Sequence, residues 1–435
     1  MRLQAARRPL LFSAALAGLL HVHTGCDPAP PADPSAQLWL KQLGTTQDDS
    51  LLAVSGSGSV IYAAGSTIGR LPDFIGTTQP PDGYVVKLDP SGKVAWQKQF
   101  GTSADDEWRG VAVDSAGNAI VVGYTAGQFD GQTKVGGDTD AVIARIRPDG
   151  TIDWLRQFGT TGADYLLAVT VDSVGNAFAA GWTSGTFPSQ TLSGASDAFV
   201  VKFRPDGTQE TLSQFGCPKE DSLSSIAIDS SGALYVSGWA TDAVAAGQQP
   251  LGGRDGAVYK VQPGTGVVWA RQFGSSEDDE AAAIGIGGGN LYTAGRTLGT
   301  LPGQAASGRI DGMIASYDLS GTQRWLRQVG TVGDDELRGL AVASDGSGVY
   351  VGGYVSRALP TAQWSGQQDA FYTKLRSDGG QDWVKQFGTA FNDQVTALFS
   401  SGPGALYVTG TVGEALLGQV RVGAVDAFAA RYTVP

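Results

Sequence analysis

Seven short segments rich in carboxylates recur along the chain and are the first candidates for chemistry. They hold 16 acidic residues against a single lysine, Lys219. Carboxylates that meet in space bind Ca²⁺ or attract a cationic ligand, so these segments predict a binding surface. The segments are Asp48-Asp49, Asp105-Asp106-Glu107, Asp164, Glu220-Asp221, Glu277-Asp278-Asp279-Glu280, Asp334-Asp335-Glu336 and Asp393.

One aspartate in each segment follows a glycine at a fixed offset in all seven copies. A residue that every copy needs equally is best interpreted as an acceptor for the amides of a turn. The aspartate that opens a later strand of each copy, Asp82 through Asp426, has the same structural interpretation. The candidates for ligand or ion binding are therefore the acids outside the repeat: Asp105, Glu107, Glu277, Asp278, Glu280, Asp334 and Glu336.

A second set of candidates is the residue after the glycine that closes the second strand of each copy. Five of the seven positions hold an aromatic residue or arginine: Tyr124, Trp182, Trp239, Arg296 and Tyr354, with Ser66 and Thr411 at the other two. Brought into a ring, these side chains would form a stacking surface for a sugar or a peptide. The alternative is that they pack between neighbouring repeats, with Arg296 the hardest to explain in that way.

Several kinds of catalysis lack their usual residues. His21 and His23 are the only histidines and precede Cys26, so a chain processed at Cys26 has no histidine base or ligand. Cys217 would then be the only free thiol, and it stands where other copies have Thr or Ser, which favours a turn residue over a nucleophile. No catalytic residue is predicted.

The positions of these residues follow from an internal repeat. The opening aspartate recurs at 82, 140, 197, 255, 311, 369 and 426, with Pro-Asp-Gly and Trp-x-x-Gln-Phe-Gly motifs after it in most copies. Each copy divides into four short alternating runs bounded by turn residues, as β-strands do. The sequence therefore predicts an all-β, seven-bladed β-propeller with four antiparallel strands in each blade.

The two ends of the repeat indicate how the ring closes. The last copy stops before its Trp-x-x-Gln-Phe-Gly strand, and the equivalent strand, Trp39-Leu-Lys-Gln-Leu-Gly44, stands near the start of the chain. We expect this N-terminal strand to complete the last blade, because an open array would instead need polar caps.

The repeat resembles the bacterial seven-bladed beta-propeller (SBBP-type) family. The resemblance rests on Gln-Phe-Gly-Thr, the acidic pair, Val-Asp-Ser-x-Gly-Asn, Gly-Tyr-Thr and Asp-Ala-Phe-Val-x-Lys, and covers residues 38–435. Leu212 in place of the Trp and Val329 in place of the Phe depart from the pattern. The resemblance implies the fold and a secreted or cell-surface location, and it brings no catalytic motif.

The first 37 residues are interpreted as targeting and tethering segments. Residues 1–25 combine Arg2, Arg7 and Arg8 with a short apolar run and resemble a bacterial lipoprotein signal, although His23 departs from its usual aliphatic residue. Cys26 is the predicted lipid attachment site, with plain secretion as the alternative, and residues 26–37 are predicted to form a Pro-rich tether to the propeller of residues 38–435. The predicted location is the bacterial cell envelope, on its periplasmic or cell-surface side.

Composition and motifs together predict a non-enzymatic binding scaffold. Loss of the three arginines of residues 1–25 moves the formal net charge from −12 to −15, which argues against nucleic acid and against membrane contact other than the lipid. We expect a monomer that binds a protein, peptide or glycan on its loop-rich face, without a cofactor unless Ca²⁺ binds the acidic loops. The alternatives are a carboxylate-based lyase or glycoside hydrolase and a surface protein stabilised by Ca²⁺.

Overall fold

The computed structural model describes residues 35–434 apart from residues 59, 73, 75–80 and 361. It confirms the predicted fold: seven four-stranded antiparallel sheets form the blades of a propeller. The predicted signal peptide, Cys26 and residues 26–34 of the tether lie outside the described residues. No helix in the described part of the chain has the length and hydropathy needed to cross a bilayer.

Each blade is numbered from its innermost strand outward. The strands of blades 1 to 4 are β2 (Asp49–Ser57), β3 (Val60–Thr67), β4 (Asp82–Leu88) and β5 (Val94–Phe100); β6 (Asp106–Val113), β7 (Ala119–Thr125), β8 (Asp140–Ile146) and β9 (Ile152–Phe158); β10 (Asp164–Val171), β11 (Ala177–Thr183), β12 (Asp197–Phe203) and β13 (Gln209–Phe215); and β14 (Asp221–Ile228), β15 (Leu234–Ala240), β16 (Asp255–Gln262) and β17 (Gly266–Phe273).

Blades 5 to 7 follow the same order. Their strands are β18 (Asp279–Gly287), β19 (Asn290–Thr297), β20 (Asp311–Asp318) and β21 (Gln323–Val329); β22 (Asp335–Val342), β23 (Gly348–Val355), β24 (Asp369–Arg376) and β25 (Gln381–Phe387); and β26 (Asp393–Ser400), β27 (Leu406–Val412), β28 (Asp426–Thr433) and β1 (Ala36–Leu43).

The ring closes as the sequence predicts. Strand β1 pairs antiparallel with β28, from Ala36 opposite Thr433 to Leu43 opposite Ala427. The indole of Trp39 then donates a hydrogen bond of 2.9 Å to the carbonyl of Pro90 in blade 1. The first described strand thus completes blade 7 and ties it to blade 1.

The innermost strands begin earlier than the sequence pattern indicates. In blade 3 the alternation of apolar and polar residues suggests a strand that begins at Ala168, whereas β10 begins at Asp164. A bulge between Leu166 and Ala168 shifts the register, so the alternation does not continue into the first half of the strand. Most residues of the acidic segments therefore lie at the first positions of the innermost strands. The bulge also explains the glycine of each second strand, since a Cβ on Gly181 would lie 1.8 Å from the carbonyl oxygen of Tyr165.

The hydrophobic core lies between blades rather than within one sheet. The cluster between blades 2 and 3, for example, joins Val122 and Ile143 to Phe199 and Phe203. Tryptophans of the outer strands pack against the next blade: the Trp154 indole donates a hydrogen bond to the Pro205 carbonyl at 2.9 Å. This packing makes the propeller a rigid platform for its loops.

Candidate functional site

The seven innermost strands surround a narrow central channel. Its lining includes Ala53, Gly110, Ala168 and their equivalents in the other blades, and the cavity measures about 160 Å³. One end of the channel is surrounded by the loops between second and third strands and between blades, and the other by tight turns. We call the first end the mouth, because the acidic and aromatic candidate residues lie there.

The recurring aspartates of the first strands have a structural role at this face. Asp164 is fully buried and accepts hydrogen bonds from the backbone N–H and the hydroxyl of Thr160, at 2.6 and 3.1 Å. The same arrangement places Asp221 at 2.5 Å from the N–H of Cys217. These carboxylates hold the turns that lead into each blade, as their recurrence predicts.

The aspartates that open the third strands are buried as well. Asp140 accepts hydrogen bonds from the side-chain amide of Gln157 at 2.9 Å and from the N–H of Val135 at 3.0 Å. The Gln is the one in the repeated Gln-Phe-Gly motif, so this motif connects the fourth strand to the loop of the same blade. The charge of Asp140 also acts on Asp164 of the next blade.

Burial raises the pKa of the recurring first-strand aspartates. Desolvation is the main cause, hydrogen bonds from the turn oppose it, and the neighbouring third-strand aspartate adds to it. The pKa is raised to about 6 at Asp106, Asp221, Asp279 and Asp393. The pKa is also raised at Asp49, Asp164 and Asp335.

The mouth itself is surrounded by fourteen side chains that we call the mouth ring. Each blade contributes the second residue of its first strand and the residue opposite it on the second strand. The pairs are Ser50 and Ser66, Glu107 and Tyr124, Tyr165 and Trp182, Ser222 and Trp239, Glu280 and Arg296, Glu336 and Tyr354, and Gln394 and Thr411. The blades share one backbone, but they present different chemistry at this level.

Blades 2 and 3 form an aromatic wall of Tyr124, Tyr165 and Trp182. The ring of Tyr165 stacks on that of Trp182, with centroids 4.6 Å apart and planes 15° apart. The ring centroid of Tyr124 also lies 4.6 Å from that of Tyr165, with the two planes tilted by 53°. All three are half-buried, so each has part of its surface open to solvent. The Tyr124 hydroxyl donates to Glu107 at 3.0 Å, and burial followed by this carboxylate raises the pKa of Tyr124.

Blades 4 to 6 form a charged wall of Arg254, Glu280, Arg296, Glu336 and Arg338. Glu280 lies between Arg254 at 2.7 Å and Arg296 at 2.8 Å. Arg296 also approaches Glu336 at 3.8 Å, and Glu336 pairs with Arg338 at 3.3 Å. Burial alone would lower the pKa of Arg296, but the two glutamates outweigh it and raise that pKa.

The acidic residues predicted to form one surface fall into two groups, one inside the mouth ring and one outside it. Glu107, Glu280 and Glu336 belong to the mouth ring, and each pairs with an arginine. Outside the ring, Asp334 pairs with Arg309 at 2.7 Å and Asp278 accepts a hydrogen bond from the N–H of Arg254. Asp105 and Glu277 are exposed in the loops. The expectation of 16 acids facing a single cation considered only the loop segments, and these arginines lie outside them.

The predicted stacking residues form two groups. Tyr124 and Trp182 belong to the aromatic wall. The guanidinium of Arg254 lies 4.2 Å from the ring centroid of Trp239, and that of Arg338 lies 5.4 Å from the ring centroid of Tyr354. Burial raises the pKa of Tyr354 to about 12.

The sequence interpretation missed Tyr165, Arg254, Arg338 and Gln394. The signal was present for two of them: the second residue of the first strand varies among Ser, Glu, Tyr and Gln while the aspartate before it is constant. In the part of the chain that the structure describes, no three His, Cys, Asp or Glu side chains are grouped so that they could hold a metal ion. Cys217 is buried, and burial raises the pKa of its thiol to about 11, which fits a turn residue.

Comparison with known proteins identifies the repeat. Residues 153–188, from the outer strand of blade 2 to the loop after the second strand of blade 3, match the family model described as beta-propeller repeat, SBBP. One repeat of the propeller therefore matches the SBBP model, which supports the family that the sequence motifs resemble.

Proteins similar to this propeller include the regulatory protein FlaEY of Caulobacter vibrioides, which is 24% identical over 390 residues. The match covers 79% of this chain and 40% of FlaEY, so the chain spans less than half of that relative. Among solved structures, the Pan2 WD40 domain of Neurospora crassa matches with a TM-score of 0.52 and 10% identity, over 92% of this chain and 95% of that one. Hydrazine synthase of Kuenenia stuttgartiensis matches with a TM-score of 0.48 and 11% identity, over 84% and 94%. At 10% identity, the Pan2 match shows the fold alone.

Proposed function

We propose that this protein is a lipid-anchored, extracytoplasmic propeller that binds a partner at its mouth and catalyses no reaction. The observation that carries the proposal is the asymmetry of the mouth ring. Seven blades with nearly the same backbone place an aromatic wall on one side of the channel and a charged wall on the other. The fold needs no such asymmetry, because any residue pair that keeps the strands together would serve.

The arrangement of the mouth favours binding over catalysis. An enzyme that uses two carboxylates needs them in different environments, so that one acts as acid and the other as base. Each of Glu107, Glu280 and Glu336 contacts an arginine, so their surroundings do not assign them different roles. The FlaEY relative, named as a regulatory protein, is consistent with a role in binding.

The proposal is tested by a binding screen with the full-length protein purified in detergent. The probes are arrays of glycans, peptides and peptidoglycan fragments, with Ca²⁺ and EDTA as separate arms. Each hit is repeated with Tyr165→Ala, which removes the centre of the aromatic wall, and with Phe391→Ala, which removes a 45% exposed ring in the loop between blades 6 and 7, outside the mouth ring. We expect hits that Tyr165→Ala abolishes and Phe391→Ala retains. Hits that survive Tyr165→Ala, or turnover of a probe, would contradict the proposal.

A further inference from the structure

We propose that the ligand of the mouth is a neutral oligosaccharide. This inference rests on the proposed function, since it specifies the chemistry of the partner bound there. Three properties of the mouth support it: the shape of its aromatic wall, the alternating charges of the opposite wall and the narrowness of the channel beneath.

The aromatic wall offers apolar surface next to hydrogen-bonding groups. Tyr165 and Trp182 are held by stacking on each other, so a ligand meets rings that are already ordered. A pyranose has an apolar face of C–H groups, which packs on an aromatic ring, and a rim of hydroxyls. Pre-ordered aromatic side chains give contact area at a low entropic cost.

The charged wall alternates donors and acceptors along three blades. Arg254, Arg296 and Arg338 supply guanidinium N–H groups, and Glu280 and Glu336 supply carboxylate oxygens between them. A sugar hydroxyl is both donor and acceptor, so a row of hydroxyls can bond to such a wall at every step. The arginines keep 32 to 39% of their side chains exposed, which leaves N–H groups accessible at the mouth.

The balance of charge at the mouth argues for a neutral ligand. Arg109, Arg254, Arg296 and Arg338 lie against the three glutamates of the mouth ring, so the charges within the ring and its paired arginines nearly cancel although the whole chain carries −12. A cationic or an anionic ligand would have to compete with these existing ion pairs. A neutral polyhydroxyl ligand need not break them.

The channel below the mouth limits how the ligand is held. Its volume of about 160 Å³ is below the roughly 300–1,000 Å³ of pockets that enclose drug-sized ligands. An oligosaccharide would therefore rest across the mouth instead of passing through the ring. An extended peptide prefers the open edge of a sheet, and the outer strands of the blades, not the mouth, provide such edges.

The test is calorimetric titration of the full-length protein in detergent with neutral oligosaccharides of β-1,4-linked glucose, β-1,4-linked N-acetylglucosamine and α-1,4-linked glucose. We expect at least one series to bind, and both Trp182→Ala and Tyr165→Ala to weaken it by about tenfold or more. Trp364→Ala, which removes a 44% exposed indole in a loop of blade 6, is the matched control and should leave affinity unchanged. Thermal unfolding of each variant shows whether it is folded.

Salt separates a neutral ligand from charged ones. Affinity for the oligosaccharide should change by less than about twofold between about 50 and 500 mM NaCl, because no net charge is neutralised on binding. A peptide or cation that binds in a Trp182-dependent way, with no oligosaccharide bound, would overturn this inference and leave the proposed function standing. If the folded wild type binds no probe in a way that Trp182→Ala or Tyr165→Ala weakens, both proposals fail.

Discussion

Two kinds of carboxylate lie on the loop-rich face, and they differ in what they touch. The buried first-strand aspartates accept hydrogen bonds from turn amides, as Asp221 does from Cys217. The acids outside the repeat are exposed, as Asp105 is, or pair with arginines, as Asp334 does. The first kind therefore stabilises the blades, while the second is available for binding.

Substitution of Asp221 tests the structural role. Asp221→Ala should lower the free energy of unfolding by about 1–3 kcal/mol, because a buried N–H loses its acceptor. Asp221→Asn keeps an acceptor and should cost less. Denaturant unfolding followed by tryptophan fluorescence measures both variants.

The exposed acids provide the comparison for Asp221. Asp105→Asn combined with Asp278→Asn and Asp334→Asn should leave the free energy of unfolding within about 0.5 kcal/mol of wild type, because exposed ion pairs contribute little. If the triple variant unfolds while Asp221→Ala is neutral, the roles assigned to the two kinds of acid are reversed.

The predicted location in the cell envelope can be tested at Cys26. If the signal has been interpreted correctly, the mature chain begins at Cys26 with an acylated thiol, and Cys26→Ala should leave the protein unprocessed or move it to the soluble fraction. Membrane fractionation and mass spectrometry of the mature N-terminus measure this. A mature N-terminus at another residue, without the mass of an acyl group, would contradict the prediction.

At the scale of elements, strand β1 is what closes the ring. It pairs with β28 along its length, and the Gln42 amide donates to Asp426 at 2.6 Å. Deletion of residues 38–44 should expose the edge of β28 and part of the core between blades 7 and 1, giving aggregation and a lower melting temperature. Size-exclusion chromatography and calorimetry test this. A truncated chain that stays monomeric with an unchanged melting temperature rules out closure by β1.

Much of this element-level structure could be predicted from the repeat. Residues equivalent to Trp154, Gln157 and Asp164 recur along the chain because most blades form the same hydrogen bonds. The blades, the closure of the ring and the role of the turn aspartates could therefore be predicted from the sequence. The bulge after Leu166 did not, because one extra residue breaks the alternation by which a strand is recognised. The strand starts were therefore placed too late.

The mouth was less predictable for a related reason. Tyr165 meets Tyr124, and Arg296 meets Glu336, across the boundary between two blades. Such contacts depend on how neighbouring sheets are set against each other, which a one-dimensional repeat does not record. Arg254 lies outside both repeating positions, so only the structure shows that it reaches Glu280.

At the scale of the whole molecule, the buried aspartates should make stability depend on pH in an unusual direction. Their pKa is raised to about 6 in four blades and raised in the other three, against an unfolded value of 3.8. Between these values the folded protein binds more protons than the unfolded chain, so stability falls as pH rises. Aspartates with a lowered pKa, such as Asp114, act in the opposite sense only below about pH 4.

We therefore expect a higher melting temperature at about pH 5 than at about pH 8, with a difference in unfolding free energy of at least about 2 kcal/mol. Asp393→Asn should flatten the dependence, since it removes one of the titrating groups while keeping an acceptor for the N–H of Thr389. Calorimetry across this range measures both proteins. Stability that rises steadily from pH 5 to pH 8 would show that the buried aspartates are ionised at little cost.

The claim that the mouth is the binding site is tested most directly by hydrogen exchange. Mass spectrometry would compare amide exchange of the full-length protein with and without a ligand retained from the binding screen. We expect slower exchange at the starts of β6, β10, β18 and β22 and at the ends of β7 and β11, with no change in the opposite turns such as residues 114–118 and 172–176. Protection confined to those opposite turns or to the outer strands would contradict it.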